Sequence, residues 1–260
     1  MTPNDLAPAD RSRDEGWFAR EGLVWAQAVF WLVAAERLRM AAWSLPPGEA
    51  FAVATVGDLA TFLAFVAVSG VMVRRLGGET GLGAISVRGR IDLALSVYAK
   101  LFALSGAAYL GLGWIAHKLG DQTLAVVASH LARGFDGVAF DQYSHAGRAW
   151  SAVIACLALL LVIERGEGRP ATFAALAAQL RRRWPSLLSG VAAVAAMAIP
   201  LAAIQAGARA GLRAAFASGG PSTPNLVLFM LFVVGFAMVR LTATVAILTL
   251  ALRRSYRRGD

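Results

Sequence analysis

A few charged side chains lie within long apolar stretches of the sequence, and they are the first candidates for chemistry. Lys100 and Arg240 are the only charged residues of the apolar runs 93–116 and 225–252. A charge in the hydrocarbon of a bilayer costs at least ~2.5 kcal/mol, so such residues usually bind something or have a partner. We therefore predict a cationic site for an anion, such as a lipid phosphate or a carboxylated metabolite. The alternative is that both side chains extend to the inner headgroups.

A second polar group lies near the opposite ends of the first two apolar runs. Glu36, Arg37 and Arg39 interrupt the first run, and Asp58 is the one carboxylate of the second. An Arg37–Asp58 ion pair would lower the cost of placing either charge in a membrane. The pair could form one wall of a water-filled vestibule or a clamp between neighbouring helices.

All three histidines occur in the longest polar connection, residues 117–148, together with three aspartates. Imidazole and carboxylate are metal ligands, but a site needs three or four of them to converge. Successive histidines are separated by 13 and 15 residues, which is not the i, i+4 spacing of a helix face. We expect no metal site and no cofactor, and convergence remains the alternative for His117, His130 and His145.

No complete set of catalytic residues is recognisable along the chain. The sequence has no P-loop motif and no pair of aspartates within the apolar runs. A lipid-active enzyme would have to assemble its acid and base from the polar connection, using His117, Asp121, His130 and Asp141. We therefore expect a protein that is not an enzyme.

The apolar runs themselves define the class of protein. The chain of 260 residues is 58% apolar and 16% charged, whereas about a quarter of residues are charged in soluble domains. A run of ~20 apolar residues is long enough to cross a bilayer as a helix. The pattern predicts an all-α bundle of six membrane helices in one domain, at about 22–44, 50–73, 93–116, 147–164, 184–208 and 225–252. The first could instead lie in the interface, since residues 17–44 contain several charges.

Arginine placement predicts the orientation of these helices. Sixteen of the 25 lysine and arginine residues fall in the tails and connections of one side, and five fall on the other. The positive-inside rule then places both termini in the cytoplasm, with a polar tail at 1–21 and a basic tail at 253–260. The formal charge of +9 lies in short clusters beside apolar runs, which fits anionic lipid and excludes a nucleic-acid surface. A bacterial inner membrane is the expected location.

The segment from Glu164 to Arg183 is expected to be a separate interfacial helix before the fifth span. Its apolar residues follow the i, i+3, i+4, i+7 pattern of an amphipathic helix. A run of three arginines closes the segment and would bind lipid headgroups, namely Arg181, Arg182 and Arg183. Alanine and glycine are concentrated in the third and fifth spans, where they predict close packing against another helix.

Together these features favour a non-enzymatic membrane subunit or accessory protein. Such a protein would pack against partner membrane proteins, form a homo-oligomer, or bind anionic lipid. A transporter or channel for a small anion is the second hypothesis, based on Lys100, Arg240 and a kink expected at Pro200. A lipid-active membrane enzyme is the third.

Overall fold

The computed structural model describes residues 11–77, 90–132, 145–166, 168–217 and 223–258, and within these ranges every regular element is helical. The predicted all-α fold is therefore confirmed. Residues 1–10 and 259–260 of the predicted tails lie outside the described part of the chain. The helices are α1 (Arg11–Ala42), α2 (Pro47–Gly77), α3 (Arg90–Leu119), α4 (Gln122–Ala132), α5 (His145–Gly166), α6 (Phe173–Ala217) and α7 (Thr223–Arg258).

Five of these helices are long and apolar enough to cross a membrane. They include the second to sixth of the predicted spans, and their bounds are Pro47–Leu76, Ile91–Leu119, His145–Gly166, Phe173–Leu212 and Pro224–Ser255. Helix α1 is not among them, since charged residues interrupt its apolar stretch. The five helices support a membrane protein.

Helices α1 and α2 form an antiparallel hairpin with a tight turn at Pro46 and Pro47. The carbonyl oxygen of Pro46 accepts a 2.8 Å hydrogen bond from the Ala50 amide, and α2 begins at Pro47. Proline suits the first position of a helix, because its missing N–H would have no partner there. The turn aligns α1 along α2, and these two helices pack against each other.

Helix α5 occupies the centre of the bundle. Every residue from Ile154 to Glu164 is buried, and α5 contacts α2, α3, α4, α6 and α7. A helix that is apolar on all sides is stable only when other helices surround it or lipid does. Its 22 residues correspond to ~33 Å, enough for one crossing.

Helix α6 differs from the prediction of an interfacial helix followed by a separate span. It runs for 45 residues through both Pro185 and Pro200, a length of ~68 Å or about twice the hydrocarbon thickness. Buried Leu176, Arg183 and Leu187 recur along one face on both sides of Pro185. Packing of this face holds the helix together where the proline removes one backbone hydrogen bond.

Helices α6 and α7 pack antiparallel with very close backbones at one point. A Cβ atom built on Gly190 would lie 2.8 Å from the Cβ of Ala251 and 3.5 Å from a methyl carbon of Leu248. Only glycine fits at this position without movement of the helices. This contact sets the register in which the polar residues of α6 and α7 meet.

Candidate functional site

Arg240, the most deeply buried cation among the described residues, is hydrogen-bonded across the α6–α7 contact. Its side chain is 1% exposed, and Nη1 donates a 2.6 Å hydrogen bond to Oε1 of Gln205, which is 3% exposed. The guanidinium carbon lies 5.9 Å from the centre of the Phe236 ring, one turn nearer the start of α7. The side chain of Arg240 therefore extends away from the basic end of α7. The alternative prediction, in which it extends to the inner headgroups, required the opposite direction.

Lys100 lies in a different part of the bundle. Its ammonium donates hydrogen bonds to the carbonyl and hydroxyl oxygens of Ser96, at 3.0 and 2.9 Å. Ser96 is one turn earlier in the same helix, so Lys100 satisfies its donors locally. Helix α3 packs against α2, α4 and α5, whereas α7 packs against α1, α2, α5 and α6. The structure thus gives Lys100 and Arg240 separate partners, Ser96 on α3 and Gln205 on α6.

The polar group between α1 and α2 is organised by Arg39. Its Nη2 donates to Oδ1 of Asp58 and to Oγ1 of Thr61, each at 3.1 Å, and its Nη1 lies 3.9 Å from a carboxylate oxygen of Glu36. Arg37 is exposed. The structure therefore places Arg39, and not the predicted Arg37, against Asp58. A two-residue step turns a helical side chain by about 200°, which directs the two arginines to different sides.

A second ion pair joins the other ends of α1 and α2. Arg75 Nε donates a 3.1 Å hydrogen bond to Oε1 of Glu21, and Arg75 Nη2 contacts Oε2 of the same carboxylate. Glu21 is 5% exposed, whereas Arg75 lies at the exposed end of α2. Two parallel contacts between a guanidinium and a carboxylate define geometry as well as adding energy. The hairpin is therefore held by charged pairs near both ends.

A polar network that sequence reasoning missed joins α5, α6 and α7 at the basic end of the bundle. Glu164 accepts a 3.0 Å hydrogen bond from Gln179, which accepts one of 2.8 Å from Arg183 Nε. Arg183 Nη1 donates to the buried Ser255 hydroxyl at 3.4 Å, and Arg169 lies 3.3 Å from Glu164. In the sequence, the i, i+4 spacing of Gln179 and Arg183 could have indicated the hydrogen bond between them.

This network changes the expected role of the arginine run in α6. Arg183 is 5% exposed and is committed to the protein interior. Arg181 and Arg182 are exposed and remain available to solvent or headgroups. Three consecutive residues on a helix cannot share one face, since each step turns it by about 100°.

The residues of the polar connection show structural contacts where the structure describes them. His117 and His145 are exposed, and Asp121 Oδ1 accepts hydrogen bonds from the Thr123 and Leu124 amides at the start of α4, as a helix cap does. Among the described residues no three metal-ligating side chains converge. The remaining members of the predicted group, namely Asp136, Asp141 and the side chain of His130, lie outside the description.

Comparison with models of protein families, with curated proteins and with solved structures finds no match to this chain. Across the described residues, the contacts of the candidate site link charged groups to one another or to amides and hydroxyls of the same or a neighbouring helix. They hold helices in register and bring together no nucleophile and base.

Proposed function

We propose that this chain is a non-enzymatic integral membrane protein that crosses the bilayer six times and packs against a partner membrane protein. The observation that carries the proposal is a pair of small-residue stripes that face outward from the bundle. The stripes lie on α3 and α6, two of the helices long enough to span.

The sixth crossing would be α1. Its pairs with α2 extend from Arg39–Asp58 to Glu21–Arg75, which are about 26 Å apart along the helix axis. That distance is close to the ~30 Å thickness of the hydrocarbon core. If α2 crosses the membrane, α1 lies beside it at the same depth. Six crossings put both termini on one side, and the arginine clusters favour the cytoplasmic side of a bacterial inner membrane.

The first stripe consists of Ala103, Ala107 and Gly111 on α3, and all three are exposed. On a helix, residues spaced by four lie on one face, about one turn apart. The three small side chains therefore form a shallow strip along α3. No described side chain or neighbouring backbone comes within 4 Å of a Cβ atom built at Gly111.

The second stripe has the same spacing on α6, at Ala203, Gly207 and Gly211. These residues are also exposed, and a Cβ atom on either glycine would meet no described atom within 4 Å. Small residues allow backbones to approach in lipid, and Gly190 shows such a contact within this chain. The two stripes are therefore exposed small-residue faces of the described bundle, which supports a partner outside it.

Cross-linking in native membranes tests the proposal. Gly207→Cys carries a photoreactive maleimide reagent on the stripe, and Val239→Cys carries it at an exposed position of α7 outside the stripe. The natural Cys156 is buried, which keeps the background low. We expect one discrete adduct from Gly207→Cys, identified by mass spectrometry as another protein or a second copy, and none from Val239→Cys. Equal labelling from both positions, or an adduct from neither, contradicts the proposal.

Transport of a small anion is the second candidate, and the buried Arg240 favours it. A guanidinium held by an amide inside the bundle supplies positive charge at a depth where anions are otherwise excluded. Proteoliposomes loaded with labelled chloride or phosphate test this candidate. Flux above empty liposomes that is lost in Arg240→Gln supports it, and flux at background removes it.

A further inference from the structure

Two arginines on neighbouring helices lie at the basic end of the α6–α7 hairpin without a partner in the described part of the chain. Arg182 and Arg254 are both exposed. The 3.4 Å contact between Arg183 and Ser255 brings the helices together one residue away from each. The two cations are therefore at the same end and level of the hairpin.

Helix geometry also puts them on the same side of it. Arg183 and Ser255 mark the directions in which the two helices face each other. Arg182 and Arg254 each precede the contact residue by one position, a turn of about 100° in the same sense. Because the helices are antiparallel, rotations of the same sense lead to the same side of the hairpin. Arg181, one further step back, is directed to the far side of α6.

The surface that continues from these arginines toward the middle of the bundle carries small and apolar side chains. On α6 it is formed by Ser189 and Ala193, which are exposed and small. On α7 it is formed by Leu250, which is 42% exposed, one turn deeper than Arg254. The close approach at Gly190 brings the two helices together beneath this surface, which we call the α6–α7 groove.

The charge of this groove is not balanced by the acid closest to it in the polar network. Glu164 is buried and already engaged with Gln179 and Arg169. Arg183 lies in the interior of the same network. The exposed end of the groove is therefore cationic, and small and apolar side chains line the rest of it.

From this arrangement we infer that the α6–α7 groove binds one anionic glycerophospholipid. The phosphate lies between Arg182 and Arg254, and an acyl chain lies along Ala193 and Leu250. Complementary charge at the headgroup and apolar contact below it are the two requirements for such a ligand. The inference rests on the proposed membrane embedding of α6 and α7, and it does not depend on a partner protein.

Native mass spectrometry of the full chain, released from nanodiscs containing phosphatidylglycerol and phosphatidylcholine, tests the inference. Arg182→Gln and Arg254→Gln should each weaken retention of phosphatidylglycerol roughly fivefold, the effect of one arginine near an anionic surface. Arg181→Gln is the matched control, because it removes the same charge from the same segment but on the other side of α6. Retention in that variant should be unchanged.

A groove variant separates the binding site from effects on folding. Ala193→Trp fills the exposed groove, leaves every arginine in place, and should release the lipid while the protein stays monodisperse. Equal loss in Arg181→Gln and Arg182→Gln would mean diffuse attraction to the leaflet and would overturn the inference. Undiminished retention in all variants, or displacement by inorganic phosphate alone, would also overturn it. A purified chain that binds lipid but forms no cross-link in membranes would contradict only the proposed partner.

Discussion

Arg240 of α7 donates a 2.6 Å hydrogen bond to Gln205 of α6, and both side chains are almost fully buried. The side chain of Arg240 extends toward the start of its own helix, as long helical side chains do, and this brings the groups together.

Loss of the amide at Gln205 should destabilise the bundle. Gln205→Leu removes the acceptor of a buried guanidinium, and we expect the free energy of unfolding to fall by about 1–3 kcal/mol. Gln205→Glu retains an acceptor and should be tolerated. Denaturant unfolding in mild detergent measures the change, with Ile204→Leu on the exposed neighbouring position as the control. A Gln205→Leu protein as stable as the parent would show that this bond contributes nothing.

The two arginines near the end of α1 should differ in their effect on stability. Arg39→Ala leaves Asp58 and Thr61 without a donor that the structure assigns to them. Its cost should fall between the ~1 kcal/mol of an exposed ion pair and the ~3–5 kcal/mol of a fully buried one. Arg37→Ala should be close to neutral. Thermal unfolding measures the loss of stability in both variants. A larger loss in Arg37→Ala than in Arg39→Ala would support the Arg37–Asp58 pair instead.

Exchange of charge across the same contact provides an independent check. An Asp58→Arg variant should be unstable, because it places two arginines together. Adding Arg39→Asp should recover part of the loss, since opposite charges face each other again. A double variant no better than the sum of the two single ones would argue against direct contact.

Substitution of Gly190 should separate α6 from α7. A methyl group at this position would collide with Ala251, and overpacking of this kind typically costs about 1–3 kcal/mol. Gly190→Ala should therefore lower the unfolding temperature, and Ala251→Gly should restore it in the double variant. Gly207→Ala is the matched control, because nothing described lies within 4 Å of the added carbon. Similar losses at positions 190 and 207 would contradict the close approach.

Neighbouring arginines of α6 should show different roles. Arg183→Leu leaves Gln179 and Ser255 without their donor in a buried network, and a loss of about 1–3 kcal/mol is expected. Arg182→Leu should leave stability unchanged, since that side chain is exposed. Urea unfolding monitored by tryptophan fluorescence compares them. Equal stability of the two variants would exclude Arg183 from a structural role.

Several features could be predicted from the sequence, because they depend on composition along a single helix. Apolar runs of sufficient length predicted the helices α2, α3, α5, α6 and α7. The prediction of a separate interfacial helix that ends before Trp184 was wrong. Helix α6 continues through Pro185, because packing on both sides compensates for the hydrogen bond that the proline removes.

The pairing of polar residues could not be predicted in the same way. A shift of one or two residues turns a side chain to another face, so Arg37 and Arg39, or Arg182 and Arg183, are equivalent in composition and different in space. Which member faces a neighbour depends on the register between helices. At the α6–α7 contact that register follows from the backbone approach at Gly190.

The sequence by itself determined the class of this protein: helical, apolar over five long segments, and basic at their ends. These properties sum over many residues, so no single contact decides them. Only the tertiary structure decided that Arg240 meets Gln205, that Arg183 turns inward, and that the small-residue stripes of α3 and α6 remain exposed. Each of these outcomes depends on side-chain direction across a helix contact, because partners distant in the chain meet only after the helices have packed.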